Sequence, residues 1–133
     1  YRGGWAEIGG VQVMRPRDMA KIGLLVLRNG NWNGEQIISE DWIRQSTQEH
    51  VSLEPDQQPS WGRGYGYLWW LGDVRVIGSS VRSVCALGGW QQVIAVFPEL
   101  DMVVVINGGD DESNAGQVYE IMENFILPAV LGY

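Results

Sequence analysis

The segment from Ala86 to Gly109, ALGGWQQVIAVFPELDMVVVINGG, constrains the fold of this chain more than any other. It predicts a Gly-Gly break, a strand, a tight turn at Pro98-Glu99 and a second, almost wholly apolar strand. Met102–Ile106 lacks polar–apolar alternation, which predicts a central strand covered on both faces. A Gly-rich strand end beside two antiparallel strands is a place where backbone amides can be directed at a ligand.

The rest of the chain predicts an α+β fold with an antiparallel sheet flanked by helices. A first helix is expected to open at Pro16 and to end at Asn29-Gly30. Ser39 is expected to cap a second helix that reaches about Gln48. A third helix is predicted over Ala115–Leu127 and is expected to stop at Pro128. The strands are predicted at Tyr65–Leu71, Val74–Ile77, Val81–Leu87, Gln91–Phe97 and Met102–Asn107, after an exposed loop at residues 50–63.

Composition excludes several classes of partner. The net charge is −7, whereas nucleic acids and anionic membranes need a basic surface. Cys85 is the only cysteine, so no intrachain disulfide can form, and we expect it to be a buried apolar filler. No apolar run approaches the roughly 20 residues of a membrane helix. The chain opens at Tyr1 without a methionine, so its start indicates no compartment.

The residues that could carry chemistry are few. Lys21 is the only lysine, and no Ser-x-x-Lys pair exists, so a serine cannot be activated by a lysine one helical turn away. His50 is the only histidine and is expected in an exposed loop. One histidine and one cysteine leave only carboxylates as metal ligands, so we expect neither metal nor cofactor. Asp110–Asn114 lacks the ligand spacing of an EF-hand and is read as a helix cap with exposed acids.

Two features remain as candidate ligand sites. An aromatic cluster over residues 61–70 could stack on a sugar or another flat ligand, or its alternate members could face a core. It comprises Trp61, Tyr65, Tyr67, Trp69 and Trp70. At the other candidate, Gly88-Gly89, the amide of Trp90 or Gln91 could donate to an oxyanion. A simple bulge or turn is the alternative reading of this Gly-Gly pair.

The order of segments resembles the C-terminal half of serine hydrolases of the β-lactamase superfamily. Class C β-lactamase-like esterases and amide hydrolases and penicillin-binding proteins are the most similar groups. The resemblance covers about residues 3–127. It rests on the ordered set Gly9-Gly10, Met14–Gly23, Asn29–Ser39, Tyr65–Trp70, Ala86–Gln92 and Phe97–Asp101.

The resemblance implies an α/β sandwich whose nucleophilic serine, lysine and proton-carrying tyrosine come from earlier in the polypeptide. Neither Ser-x-x-Lys nor Tyr-x-Asn occurs in this chain. A third, Gly-rich motif maps onto Leu87-Gly88-Gly89 or Gly88-Gly89-Trp90. It makes Gly88, Gly89, Trp90 and Gln91 the candidate substrate-binding and oxyanion residues, with no catalytic residue in the chain.

Three departures from the family pattern accompany this motif. Leu87 stands where a lysine or histidine is frequent, which argues against recognition of a substrate carboxylate. Trp90 replaces the glutamine of a frequent Gly-Gly-Gln ending and adds bulk beside the expected oxyanion amide. Arg15 takes the place of a capping Thr or Ser, which should weaken the first helix by ~1 kcal/mol.

We therefore expect residues 1–133 to be the C-terminal portion of one serine hydrolase domain, acting on an ester or amide through an acyl-serine and inactive alone. Its expected partners are the N-terminal portion of the same protein and the small-molecule substrate, with self-association through an exposed sheet face as a further expectation. The alternatives are a non-catalytic binding module that uses the aromatic cluster and a degenerate hydrolase homologue. The resemblance favours a periplasmic or extracytoplasmic location.

Overall fold

The computed structural model describes residues 13–54, 62–109 and 116–133. Helices cover both faces of an antiparallel sheet, so the predicted α+β class is confirmed. The elements are α1 (Pro16–Leu27), β1 (Asn31–Trp32), β2 (Glu35–Gln36), α2 (Glu40–Ser46), β3 (Val51–Ser52), β4 (Gly62–Tyr65), β5 (Trp70–Val76), β6 (Ser79–Gly88), β7 (Gln92–Phe97), a 3₁₀ turn (Pro98–Leu100), β8 (Met102–Asn107), α3 (Gln117–Ile121), a π-helical segment (Met122–Ile126) and α4 (Leu127–Leu131).

The main sheet has six strands in the order β3-β4-β5-β6-β7-β8, each antiparallel to its neighbour. The prediction that Met102–Ile106 is a central strand is wrong, because β8 lies at the edge of this sheet in the described structure. Its five residues are nevertheless half-buried on both faces. Helices on either side of the strand explain the continuous apolar run, which reports covered faces and not a central position.

One face of the sheet forms the main core with the C-terminal helices. Its strand residues include Val74, Cys85 and Phe97, which pack with Met122 and Leu127, all fully buried. Burial raises the pKa of the Cys85 thiol to about 12. The prediction that Cys85 is a buried filler is therefore confirmed, since the thiol stays protonated in the native protein.

The opposite face of β7 and β8 is covered by α1. Gly23 lies so close to the sheet that a Cβ there would come within 2.5 Å of Val103 and 2.9 Å of Ile94. Arg15 occupies the N-cap without a side-chain cap hydrogen bond, as predicted. At the other end Asn29 and Gly30 are both left-handed, with φ of 51° and 83°, which confirms the predicted end of the helix.

The region 50–71 differs from prediction. Val51–Ser52 form β3, which pairs with β4, whereas a loop was predicted here; residues 55–61 lie outside the described structure. Tyr65–Leu71 is not one strand, because β4 ends at Tyr65 and β5 begins at Trp70. The chain reverses between them in a loop that packs against the end of α2. Tertiary packing thus overrides the β propensity of this aromatic run.

The helix limits also differ in part from prediction. Ser39 caps α2 as predicted, its Oγ accepting from the backbone N–H of Trp42 at 3.2 Å, but the helix ends at Ser46. The C-terminal helix continues past Pro128 to Leu131. A π-helical segment precedes Pro128, and this wider turn lets the helix continue at a residue that has no N–H to donate. Ala115 and the acidic segment 110–114 lie outside the described residues.

Candidate functional site

The predicted Gly-Gly site forms the hairpin connection between β6 and β7. Gly88 pairs with Gln92, so Gly89, Trp90 and Gln91 make the turn. Trp90 and Gln91 both have left-handed backbones, with φ of 63° and 59°. Such a conformation costs a non-glycine residue about 1–3 kcal/mol and persists only where the surroundings impose it. Gln91 was predicted to begin a strand and instead lies in this turn.

The glycines themselves are not required by the turn. Neither Gly88 nor Gly89 has a positive φ. A Cβ on Gly89 would meet no heavy atom within 4 Å, and one on Gly88 would make only an ordinary 3.4 Å contact with Gln92. The turn alternative is correct about the backbone, but it does not account for these two residue types. Absent side chains here leave room for a ligand to approach the backbone.

Backbone amides are available in this turn. Neither the N–H of Trp90 nor that of Gln91 donates to another residue within the described ranges. The carbonyl oxygen of Gln91 accepts from the N–H of Gly108 at 3.1 Å, which ties the turn to the end of β8. A Cβ on Gly108 would lie 2.7 Å from both Gln91 Cβ and the Trp90 carbonyl oxygen. The turn is therefore braced by a close contact that only glycine permits.

The side chain of Gln91 holds a polar group that the sequence did not reveal. Its Nε2 is buried and has no hydrogen-bond partner. An unpaired buried amide costs about 1–3 kcal/mol. The main-chain conformation of Gln91 places this cost at the candidate oxyanion turn, while Trp90 remains 65% exposed.

A second chain reversal lies at the same end of the sheet. Tyr65 pairs with Trp70, and Trp70 pairs with Cys85, so the loop Gly66–Trp69 is on the side toward which β6 runs to Gly88. This loop is held at Ser46, whose carbonyl oxygen accepts from the N–H of Tyr67 at 2.9 Å. Leu68 at its tip is left-handed, with φ of 65°, and 78% exposed.

The aromatic cluster of residues 61–70 does not form one platform. Tyr65 and Trp70 meet edge to face on the sheet, with ring centroids 4.8 Å apart. Tyr67 instead stacks on His50 at 4.1 Å with nearly parallel rings, and it also approaches Trp42 at 5.7 Å. Sequence reasoning missed both of these partners, since neither lies near the cluster in the chain.

Two further members of the cluster fall outside that description. Trp69 belongs to the loop, so it and Trp70 are not successive residues of one strand, contrary to the prediction. Trp61 lies outside the described structure. The cluster therefore divides between the sheet surface and the α2 side.

Leu87 lies one residue before the end of β6 and faces the main core. It is half-buried and packs against the core residues shared with the C-terminal helices. A cation that binds a substrate carboxylate is therefore absent from this position, as the sequence predicted.

A nucleophile paired with a base is not found among the described residues. Lys21 Nζ binds the carboxylate of Asp18 at 2.8 Å. His50 Nε2 lies 2.7 Å from the carbonyl oxygen of Gln45, so this nitrogen carries the proton. The serine hydroxyls with recorded partners bond to the carbonyls of Ile43 and Gly72 or to a carboxylate, and none bonds to Lys21 or His50.

Metal-binding and membrane-spanning features were also sought in the described parts of the chain. There, no three side chains of His, Cys, Asp or Glu come together to hold a metal ion. None of the helices in those parts is long and apolar enough to cross a membrane.

Comparison with known proteins agrees with this arrangement. The Beta-lactamase family model matches residues 3–122. Among solved structures, 24 chains match. One is a Bacillus anthracis protein named provisionally as a 6-aminohexanoate-dimer hydrolase, which is 25% identical and superposes with a TM-score of 0.62. The match covers 88% of this chain but 29% of that protein, so this chain spans less than a third of it. No curated protein matches the chain.

Proposed function

This chain belongs to the β-lactamase family, and on that premise we propose that it is the C-terminal part of a serine hydrolase. The complete enzyme would act on an ester or amide through an acyl-serine intermediate. The observation that carries the proposal is the braced, left-handed turn at Trp90 and Gln91, whose amides are unpaired within the described structure.

The proposed role of this turn is to bind the oxyanion. When a serine oxygen attacks the substrate carbonyl carbon, the carbonyl oxygen becomes negatively charged, and fixed N–H donors stabilise that charge. Expulsion of the alcohol or amine leaves the acyl-serine, which water then hydrolyses. Gly89 would permit the close approach that this geometry needs, since the space beside it is open.

The nucleophile and base are proposed to come from a preceding portion of the same protein. The described residues offer no serine bonded to Lys21 or His50. This chain alone is therefore proposed to be inactive.

The edge of β8 is the proposed contact for that preceding portion. Within the described sheet β8 pairs only with β7, although both of its faces are half-buried. An unpaired edge strand presents free N–H and C=O groups to another strand. Self-association through the same sheet is the competing outcome.

Hydrolysis of p-nitrophenyl acetate tests the proposal in two arms. The purified 133-residue chain is expected to give no rate above the buffer. A longer polypeptide of the same protein is expected to hydrolyse the ester and to show an acetyl adduct on one serine by mass spectrometry.

Two outcomes would contradict the proposal. One is hydrolysis by the 133-residue chain that disappears when one of its own serines is replaced. The other is a longer polypeptide with neither turnover nor adduct, which would indicate a degenerate homologue. Equilibrium sedimentation of the short chain distinguishes a monomer from self-association.

A further inference from the structure

We propose that the end of the sheet that carries the β6–β7 turn accepts an uncharged ester or amide with an apolar group beside its carbonyl. A substrate that carries a carboxylate at that position would be disfavoured. This inference rests on the proposed function and names the substrate class of the same site.

Three chain segments form this end of the sheet, and none contains an Asp, Glu, Lys or Arg. They are the loop 66–69, the β6–β7 connection 88–92 and the end of β8 at 107–109. Gly88 pairs with Gln92, and Gln92 pairs with Asn107, which sets the second and third segments level with each other. Neighbouring strands lie about 4.8 Å apart, so the loop and the connection are centred roughly 10 Å from each other.

Two large apolar side chains are exposed on this uncharged end. Leu68 is 78% exposed and Trp90 is 65% exposed, and both have a left-handed backbone. The backbone contacts described above, at Ser46 for the loop and at Gly108 for the turn, hold these residues. Exposed apolar groups held in strained conformations are typical of a binding surface, because the strain persists only where the surroundings impose it.

A carboxylate would find little compensation here. Leu87 faces the core, and Glu49 adds a negative group just before β3, which starts opposite Tyr65 at this end. An ion that loses water without a partner is strongly disfavoured.

The cations that the fold places toward this end belong to the first turns of α1. The C-terminal end of α1 is fixed at the opposite end of the sheet, where Arg28 pairs with Asp101 at 3.2 Å. At the first turns, Asp18 pairs with both Arg15 and Lys21, at 2.9 and 2.8 Å. Two of the positive charges are thus already neutralised by a carboxylate.

A matched pair of stable anilides tests the inference on the full 133-residue chain. N-phenylbutanamide is uncharged, and N-phenylglutaramate differs by a carboxylate at the end of its acyl chain. Each would be titrated while amide NMR signals of Leu68, Gly89 and Trp90 are followed. The neutral anilide is expected to shift these signals and to bind about tenfold more tightly than the carboxylate, equivalent to ~1.4 kcal/mol.

Two variants locate the binding surface. Leu68→Ala is expected to weaken binding of N-phenylbutanamide about three- to tenfold, because apolar contact area is lost. Ile77→Ala is the matched control, since Ile77 is 73% exposed at the opposite end of the same sheet, and it should leave the affinity unchanged.

Three results would overturn the inference: equal or tighter binding of the carboxylate, shifts confined to other residues, or no shift with either anilide at saturating concentration. Each concerns the substrate class and is separate from the proposed function, which stands or falls on ester hydrolysis by the longer polypeptide.

Discussion

The N–H of Gly108 donates to the carbonyl oxygen of Gln91 at 3.1 Å, which joins the end of β8 to the turn between β6 and β7. The contact fixes a turn whose two central residues are strained, although both are ordinary L-amino acids. The candidate oxyanion amides are therefore positioned by a glycine nearly twenty residues further along the chain.

Gly108→Ala should destabilise the protein by about 1–3 kcal/mol, because its methyl group would overlap Gln91 and the Trp90 carbonyl. The neighbouring Gly109→Ala is the control, since a Cβ there meets nothing within 4 Å. Urea unfolding of both variants measures the difference, and equal stabilities would show that the turn does not rest on Gly108.

Trp90→Gly should be more stable than Trp90→Ala by about 1 kcal/mol, since only glycine adopts this left-handed backbone without strain. Both variants remove the indole, so their difference isolates the backbone. Thermal unfolding is the measurement, and a more stable alanine variant would rule out the left-handed conformation at position 90.

The unfolding free energy should fall as the pH rises from 9 to 10. The pKa of the Cys85 thiol is raised from 9.0 to about 12 by burial, so above pH 9 the unfolded chain loses a proton that the folded chain keeps. The slope approaches 1.4 kcal/mol per pH unit. Burial also raises the pKa of Tyr119 above its usual 10, so that residue adds its own decline only at higher pH.

Cys85→Ala is the control for this pH dependence, and it should flatten the decline between pH 9 and 10. Urea unfolding at each pH provides the free energies. A slope that survives in the variant would assign the decline to another group.

Ser39→Ala should cost about 1 kcal/mol, because the N–H of Trp42 loses its side-chain acceptor at the start of α2. Ser80→Ala, in an exposed part of β6, removes the same hydroxyl where no cap exists. Chemical denaturation compares the two, and a cost that is no larger at position 39 would contradict the capping role.

The sequence predicted the layers and most of the strands because their signals are local. Pro16 and Ser39 mark helix starts, and Pro98 marks the turn before β8. The ordered segments also predicted the family and the turn at Gly88–Gln91 as its candidate site.

The remainder depends on contacts between distant parts of the chain. The loop at Leu68 follows from its attachment to Ser46, and the edge position of β8 from the pairing of whole strands. The Gly-Gly pair suggested that glycines would take the unusual backbone angles, but Trp90 and Gln91 take them. Composition alone cannot reveal which residue a tertiary contact will strain.

The contact between Gly23 and Val103 bears on the order in which this molecule folds. Helix α1 is made early in synthesis, yet the strand that it covers is among the last segments to leave the ribosome. Until β8 arrives, the apolar side of α1 has only part of its binding surface. Completion of this layer is therefore expected late in folding, at the entropic cost of closing a long stretch of chain.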